Sequence, residues 1–179
     1  MENQNNDLNI PVREAATLFD PKLFDGQRVP IDTVEKTDVA DYYPEKTITG
    51  EDGKPQVTRE YDPQSTARKN VIEITTKPLR KVTTDSNGYP KVLDEEMKIT
   101  SNGELKPLVV RERFNLQKQQ KEDGSFEEII SKHPKAALWQ FMRKLEVLTL
   151  PEMKGKLVTI TTVPSKKEND DRLFLTIAH

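Results

Sequence analysis

The sequence predicts a mainly β protein: antiparallel strands with one inserted α-helix, preceded by an extended acidic N-terminal arm. Three observations carry this. Apolar and polar residues alternate in LVVRERFNL (108–116) and RLFLTI (172–177), which is the pattern of half-buried strands. The best amphipathic helical stretch, LWQFMRKLEVL, comes late, at 138–148. Six prolines, Pro11, Pro21, Pro30, Pro44, Pro55 and Pro63, interrupt the first 66 residues.

Each of those prolines removes a backbone donor and disfavours helix in the residue before it, so residues 1–66 read as an extended or flexible arm. Within it, VREAATLFD (12–20) suits a short helix with Val12, Ala15, Ala16 and Phe19 on one side, able to dock on the core or on a partner. FDGQRVP and TGEDGKP read as turns. A domain over 67–179 follows, and removal of residues 1–65 is expected to leave it folded, since the arm offers little apolar surface.

From Ala67 the pattern changes to strands. NVIEITTK (70–77) is rich in β-branched residues, with Ile72 and Ile74 facing one way and Val71, Glu73 and Thr75 the other. PLRKVTT continues it to the turn DSNG (85–88); Val92 and Leu93, then EMKIT (96–100), lead to a second turn at SNG (101–103). In LVVRERFNL, Leu108, Val110, Phe114 and Leu116 share the inner face, and Arg111 and Arg113 give the outer face its charge. Glu112 breaks the inner row and suggests a bulge or a strand end.

QKQQKEDGSFEEIISKH is a polar excursion. A helix over about 134–148 begins with Pro134 at its first position and carries the stripe Leu138, Phe141, Met142, Leu145 and Leu148. KLVTITTV, the charged turn PSKKENDD and RLFLTI then make a hairpin, with Leu173, Leu175 and Ile177 inside. An oligonucleotide/oligosaccharide-binding (OB) type barrel also sets its single helix between the third and fourth of five strands, so this order predicts an OB-like antiparallel barrel over 67–179. A smaller split β-sheet covered by one helix has the same signature.

Charge is unevenly placed. Residues 1–65 hold seven Lys/Arg against fourteen Asp/Glu, and the remainder holds 21 against 16, so an acidic segment precedes a mildly basic one. A basic face can gain affinity for polyanions through counterion release, although an uneven scatter of solvated charge gives the same numbers. Only 34% of the chain is hydrophobic, which limits the size of the core. There is no cysteine, which removes disulfides, zinc-thiolate sites and thiol nucleophiles. No run of 18 apolar residues occurs, and the start lacks a signal-peptide pattern, so a cytoplasmic or virion-associated protein without membrane contact is expected.

The run from about 70 to 177 resembles the compact OB-fold proteins of phages and prokaryotes that are similar to single-stranded-DNA-binding proteins. The likeness lies in the strand LVVRERFNL, a Ser/Lys-containing lead into the helix KAALWQFMRKLEV, and the Gly-Lys-hydrophobic strand GKLVTITTV. It implies non-specific binding of single-stranded nucleic acid, through phosphate attraction and base stacking on exposed rings. On that reading Arg111 and Arg113, then Arg80, Lys81 and Arg172, are the phosphate contacts, and Tyr89 and Phe174 the stacking rings. Each also suits a structural role: Phe174 packed under the arm, Tyr89 capping a loop, the arginines as a solvated face. Trp139, one place off the helix stripe, suits the seam between helix and sheet. The acidic arm would compete for the basic face.

No catalytic constellation is legible and no cofactor is expected. The two histidines, His133 and His179, lack partners for a triad or metal site, LDEE (93–96) reads as a solvated loop, and GEDGKP lacks phosphate-loop spacing. The competing expectation is a phage-type structural or assembly protein that uses the arm as a strap for self-association or for a protein partner.

Overall fold

The structure, a computed structural model, describes residues 19–179. In chain order it contains β1 (Arg28–Ala40), the paired β2 (Glu45–Thr49) and β3 (Pro55–Arg59), β4 (Arg68–Thr76), the paired β5 (Arg80–Thr84) and β6 (Pro90–Glu96), and the paired β7 (Lys98–Ser101) and β8 (Glu104–Pro107). Then come β9 (Arg111–Asn115), the paired β10 (Gln117–Gln120) and β11 (Phe126–Ile129), helix α1 (Ala137–Lys144), β12 (Leu157–Pro164) and β13 (Leu173–Ile177). Five strands form one antiparallel sheet in the order β13-β12-β1-β4-β9, and the other eight make four two-stranded ribbons. The mainly β, antiparallel architecture with one α-helix is therefore present among the described residues.

The boundary expected at 66/67 does not hold, because β1 is the middle strand of the sheet. Arg28–Pro30 pair with β12 and Ile31–Ala40 pair with β4, so one strand joins both halves. Val29 and Ile31 are buried. The register then shifts between Ile31 and Thr33, which turns Val34 inward to pack against the core. A one-residue shift of this kind erases the period-two pattern that reveals a strand in sequence, and Pro30 lies beside it, where a missing donor is tolerated. TGEDGKP is a turn as expected, but it closes the β2–β3 ribbon. The polar excursion likewise folds as the β10–β11 ribbon. The short helix expected over 12–20 lies almost wholly outside the described residues; Phe19 is described and packs its ring 5.5 Å from that of Phe24.

The core lies between the inner face of the sheet and a cover made of α1, the turn Pro21–Phe24 and the turn Pro151–Met153. Ile31, Ile74, Leu79, Met142, Met153, Ile160 and Ile177 are excluded from solvent. Phe114 of β9 stacks on Phe141 of α1 with centroids 5.2 Å apart, and Trp139 packs at the margin of the core. The feet of β5–β6 and β7–β8 are gathered into the core by Leu79 and Leu108: the Leu79 N–H donates to the Leu108 carbonyl, the Leu108 N–H to the Met97 carbonyl and the Met97 N–H to the Leu79 carbonyl, each at 2.8 Å.

Among the described residues the sheet does not close into a barrel. Its edge strands β9 and β13 share no backbone ladder. Side chains bridge that seam instead: the Thr176 hydroxyl donates to Glu112 Oε2 at 2.8 Å, and His179 Nε2 lies 3.1 Å from Glu112 Oε1. Glu112, which breaks the apolar row, thus joins two edges. It produces no bulge, since β4 and β9 pair in unbroken register from Val71/Asn115 to Thr75/Arg111.

The helix is shorter than the 134–148 expected. Glu146 adopts φ +57°, its N–H meets the Arg143 carbonyl, and the Val147 N–H reaches back to the Met142 carbonyl, which closes the helix by a Schellman-type turn. Val147 is consequently buried, and Leu148, placed in the stripe by periodicity, stands 76% exposed. A left-handed position occupied by Glu carries strain that glycine lacks. We expect Glu146→Gly to stabilise the fold by about 0.5–1 kcal/mol, read as a higher urea midpoint at unchanged slope; an equal or lower midpoint would show that the turn is not strained.

Candidate nucleic-acid interface

Along β9, Arg111, Arg113 and Asn115 alternate outward, opposite Thr75, Glu73 and Val71 of β4. Arg111 is exposed and forms no ion pair among the described residues. Arg113 donates from Nε to Glu73 Oε2 at 2.7 Å, so its charge is already compensated. The remaining cations predicted from sequence lie elsewhere. Arg80 sits at the foot of β5, its main chain held by the Gln27 side chain and its guanidinium 3.3 Å from Asp94; Lys81 lies 3.8 Å from Glu95. Arg172 grips Asp170 with two hydrogen bonds, at 2.9 and 2.8 Å. That grip, followed by the Ser165 hydroxyl, holds the Asp170 carboxyl well below the usual carboxylate range and raises the Arg172 guanidinium.

Of the two predicted rings, Tyr89 is exposed at the tip of β5–β6, and Phe174 is half exposed on β13 with the Arg172 guanidinium 5.8 Å from its ring. The seven residues thus fall into three groups: the outer row of β9, the β5–β6 ribbon, and the β12–β13 hairpin end. No hydrogen bond or ion pair among the described residues joins one group to another.

A better-developed site follows the end of the β9 row. Asn115 lines an open groove of about 1060 Å³ between the foot of the β2–β3 ribbon, the start of β4 and the β10–β11 ribbon. Tyr43 and Phe126 line it, both more than half exposed, and Tyr61 packs beside Tyr43 with ring centroids 5.4 Å apart. Exposed rings at a groove present flat apolar faces to a ligand. Arg68, Lys69 and Lys118 contribute cations, and Asn70, Asn115 and Gln117 contribute amides.

Carboxylates set the electrostatics of the groove. The buried Asp41 accepts the Tyr43 N–H and lies 3.8 Å from both Arg59 and Lys69, while Glu45 takes Arg59 at 2.6 Å. Glu128 accepts from Lys36 and from Asn70 Nδ2, each at 2.9 Å, and ties the β10–β11 ribbon to β1 and β4. Lys36 first and Asn70 second hold the Glu128 carboxyl below its ordinary range. Positive charge is therefore largely balanced, and rings and amides dominate what the groove offers a ligand.

Sequence reasoning passed over Tyr43, Tyr61, Gln117, Lys118, Phe126 and Glu128 because they fall in the segments read as arm and excursion. One signal was available: three of the four tyrosines, Tyr42, Tyr43 and Tyr61, flank the hairpin pattern EKTITGEDGKPQVTR. Among the described residues no group of three or more His, Asp or Glu is placed to hold a metal ion, and no helix is long and apolar enough to cross a membrane. Comparison of the chain with protein-family models, with curated proteins and with solved structures finds no match.

Proposed function

We propose that the protein binds single-stranded nucleic acid with little sequence preference, along a path from the outer row of β9 into the groove between the β2–β3 and β10–β11 ribbons. The observation that carries this reading is the continuity of the exposed Arg111–Arg113–Asn115 row with a groove flanked by three exposed tyrosine and phenylalanine rings. Four residues of strand rise separate Arg111 from Asn115, about 14 Å, so a flexible strand contacts both at once. The order β13-β12-β1-β4-β9 supports an OB-type reading, in which β1, β4, β9, β12 and β13 would be the five strands, with α1 between the third and fourth and the seam between third and fifth open. Acidic residues from the N-terminal third act inside the groove, where Asp41 and Glu45 hold Arg59 and Lys69 away from phosphate.

Fluorescence anisotropy with a labelled single strand of about sixteen nucleotides, the upper site size of one OB unit, tests this. Tyr43→Ala and Phe126→Ala are each expected to weaken binding by roughly 5–150-fold, the loss of one stacked base at about 1–3 kcal/mol. Arg111→Ala should flatten the dependence of log K on log salt by about 0.7. Arg113→Ala should flatten it less, because Glu73 already neutralises that charge, and Glu45→Gln should tighten binding by loosening Arg59, which Asp41 at 3.8 Å then holds without the shorter Glu45 contact. Absence of binding at low salt, or indifference to both ring variants, would overturn the reading. An assembly role through the N-terminal segment would then take its place.

A further inference from the structure

A second, smaller cavity of about 350 Å³ opens where β9, α1 and the residues after β13 meet. Its size falls at the lower end of small-molecule sites, roughly 300–1,000 Å³. Glu112 lines it as a half-buried carboxylate in a row otherwise apolar. A carboxylate has about four lone-pair sites, and Thr176 and His179 occupy two, so Glu112 retains capacity as an acceptor. Gln140, also in the lining, is oriented by donation from Nε2 to the Pro134 carbonyl at 2.6 Å, which leaves its Oε1 and second N–H without a partner among the described residues. Lys144 lines the cavity and forms no ion pair among the described residues. Phe141, stacked on Phe114, forms an apolar wall, and the half-exposed His179 ring stands against both.

An apolar floor of Phe114 and Phe141, with acceptors on Glu112 and Gln140 and a donor on Lys144, suits a small planar ring that carries an amino donor beside an acceptor. We propose that this cavity takes one unpaired nucleobase and favours bases with an exocyclic amino group over thymine or uracil. An amino group donates to the Glu112 carboxylate. Thymine and uracil offer only an imide N–H flanked by two carbonyls, and those carbonyls repel the same carboxylate. The proposal rests on the nucleic-acid reading only for where the base comes from: Arg113 lines this cavity and stands two residues from Asn115, which lines the groove, so a strand lying along β9 passes both.

The test uses free nucleosides, which carry no phosphate, on the full ¹⁵N-labelled chain. Deoxycytidine and deoxyadenosine are expected to shift the amides of Glu112, Ala137, Gln140 and His179 at concentrations at least about fivefold lower than thymidine does, the low end of one good base contact. Ala137 is exposed at the start of α1 and lines the cavity, so Ala137→Leu fills the slot without touching the seam and should abolish the shifts. Glu112→Gln exchanges the carboxylate for an amide that both donates and accepts, and should erase the preference against thymidine. Equal response to all three nucleosides, or shifts that survive Ala137→Leu, overturns the pocket. Loss of oligonucleotide binding with the nucleoside shifts intact would overturn the groove reading alone, and the converse would overturn only this one.

Discussion

Removal of residues 1–65 is expected to abolish the cooperative thermal transition and leave an insoluble or molten chain. The deletion takes out β1, the central strand, and so strips the ladder from one edge of both β4 and β12. It also removes Phe24, Val29 and Ile31, each under 5% exposed. Burial of such side chains stabilises by about 1.5–3 kcal/mol each, roughly 5–9 kcal/mol together, before any backbone pairing is counted. A domain of this size holds only about 5–15 kcal/mol in all, so the remainder cannot stay folded. The composition of the segment points the other way, because its low apolar content suggests that it can be cut away. Circular dichroism melts of the truncated chain decide between the two, and a sharp transition near that of the full chain would show that β1 is dispensable.

Phe141→Ala is expected to cost about 3–5 kcal/mol, among the largest effects of any single side chain here. Phe141 is 2% exposed, and its ring is the contact by which α1 reaches Phe114 on the edge strand β9. Truncation leaves a void between helix and sheet and loosens the seam beside Glu112, since His179 also stands against that ring at 5.5 Å. Leu148→Ala makes the internal comparison: helical periodicity places Leu148 in the same stripe, yet its exposure predicts a change within about 0.5 kcal/mol. Urea denaturation of both variants reads the difference directly. Equal losses would mean that the helix continues to Leu148 in solution and that the turn at Glu146 does not form.

Much of the candidate site was legible only as fragments. The outward row of Arg111 and Arg113 follows from alternation in nine consecutive residues, a local pattern. That Arg113 is neutralised and Arg111 is not depends on Glu73, 40 residues away, and no local pattern carries that. Tyr43 and Phe126 lie 83 positions apart and come to one groove because β1 turns back through a ribbon onto β4, while β9 runs on into another ribbon. Arg80, Lys81, Tyr89, Arg172 and Phe174 have the right chemistry singly, but the folded chain distributes them between a ribbon and a hairpin end.

The sequence by itself determined the mainly β class, the faces of β4, β9 and β13, the turns that close three of the ribbons, and the buried trio Leu138, Phe141 and Met142 of α1. These are consequences of one apolar face against one polar face, or of turn chemistry, and both are written into neighbouring residues. Tertiary structure alone decided that Arg28–Ala40 is the middle of the sheet, that the helix stops at Lys144, that β9 and β13 meet through Glu112 rather than through a ladder, and that a groove forms between two ribbons. The reason is physical: a register shift and a proline hide a strand from periodicity, and strand partners are selected by long-range burial. A charged residue at a seam finds its role only when the opposite edge arrives.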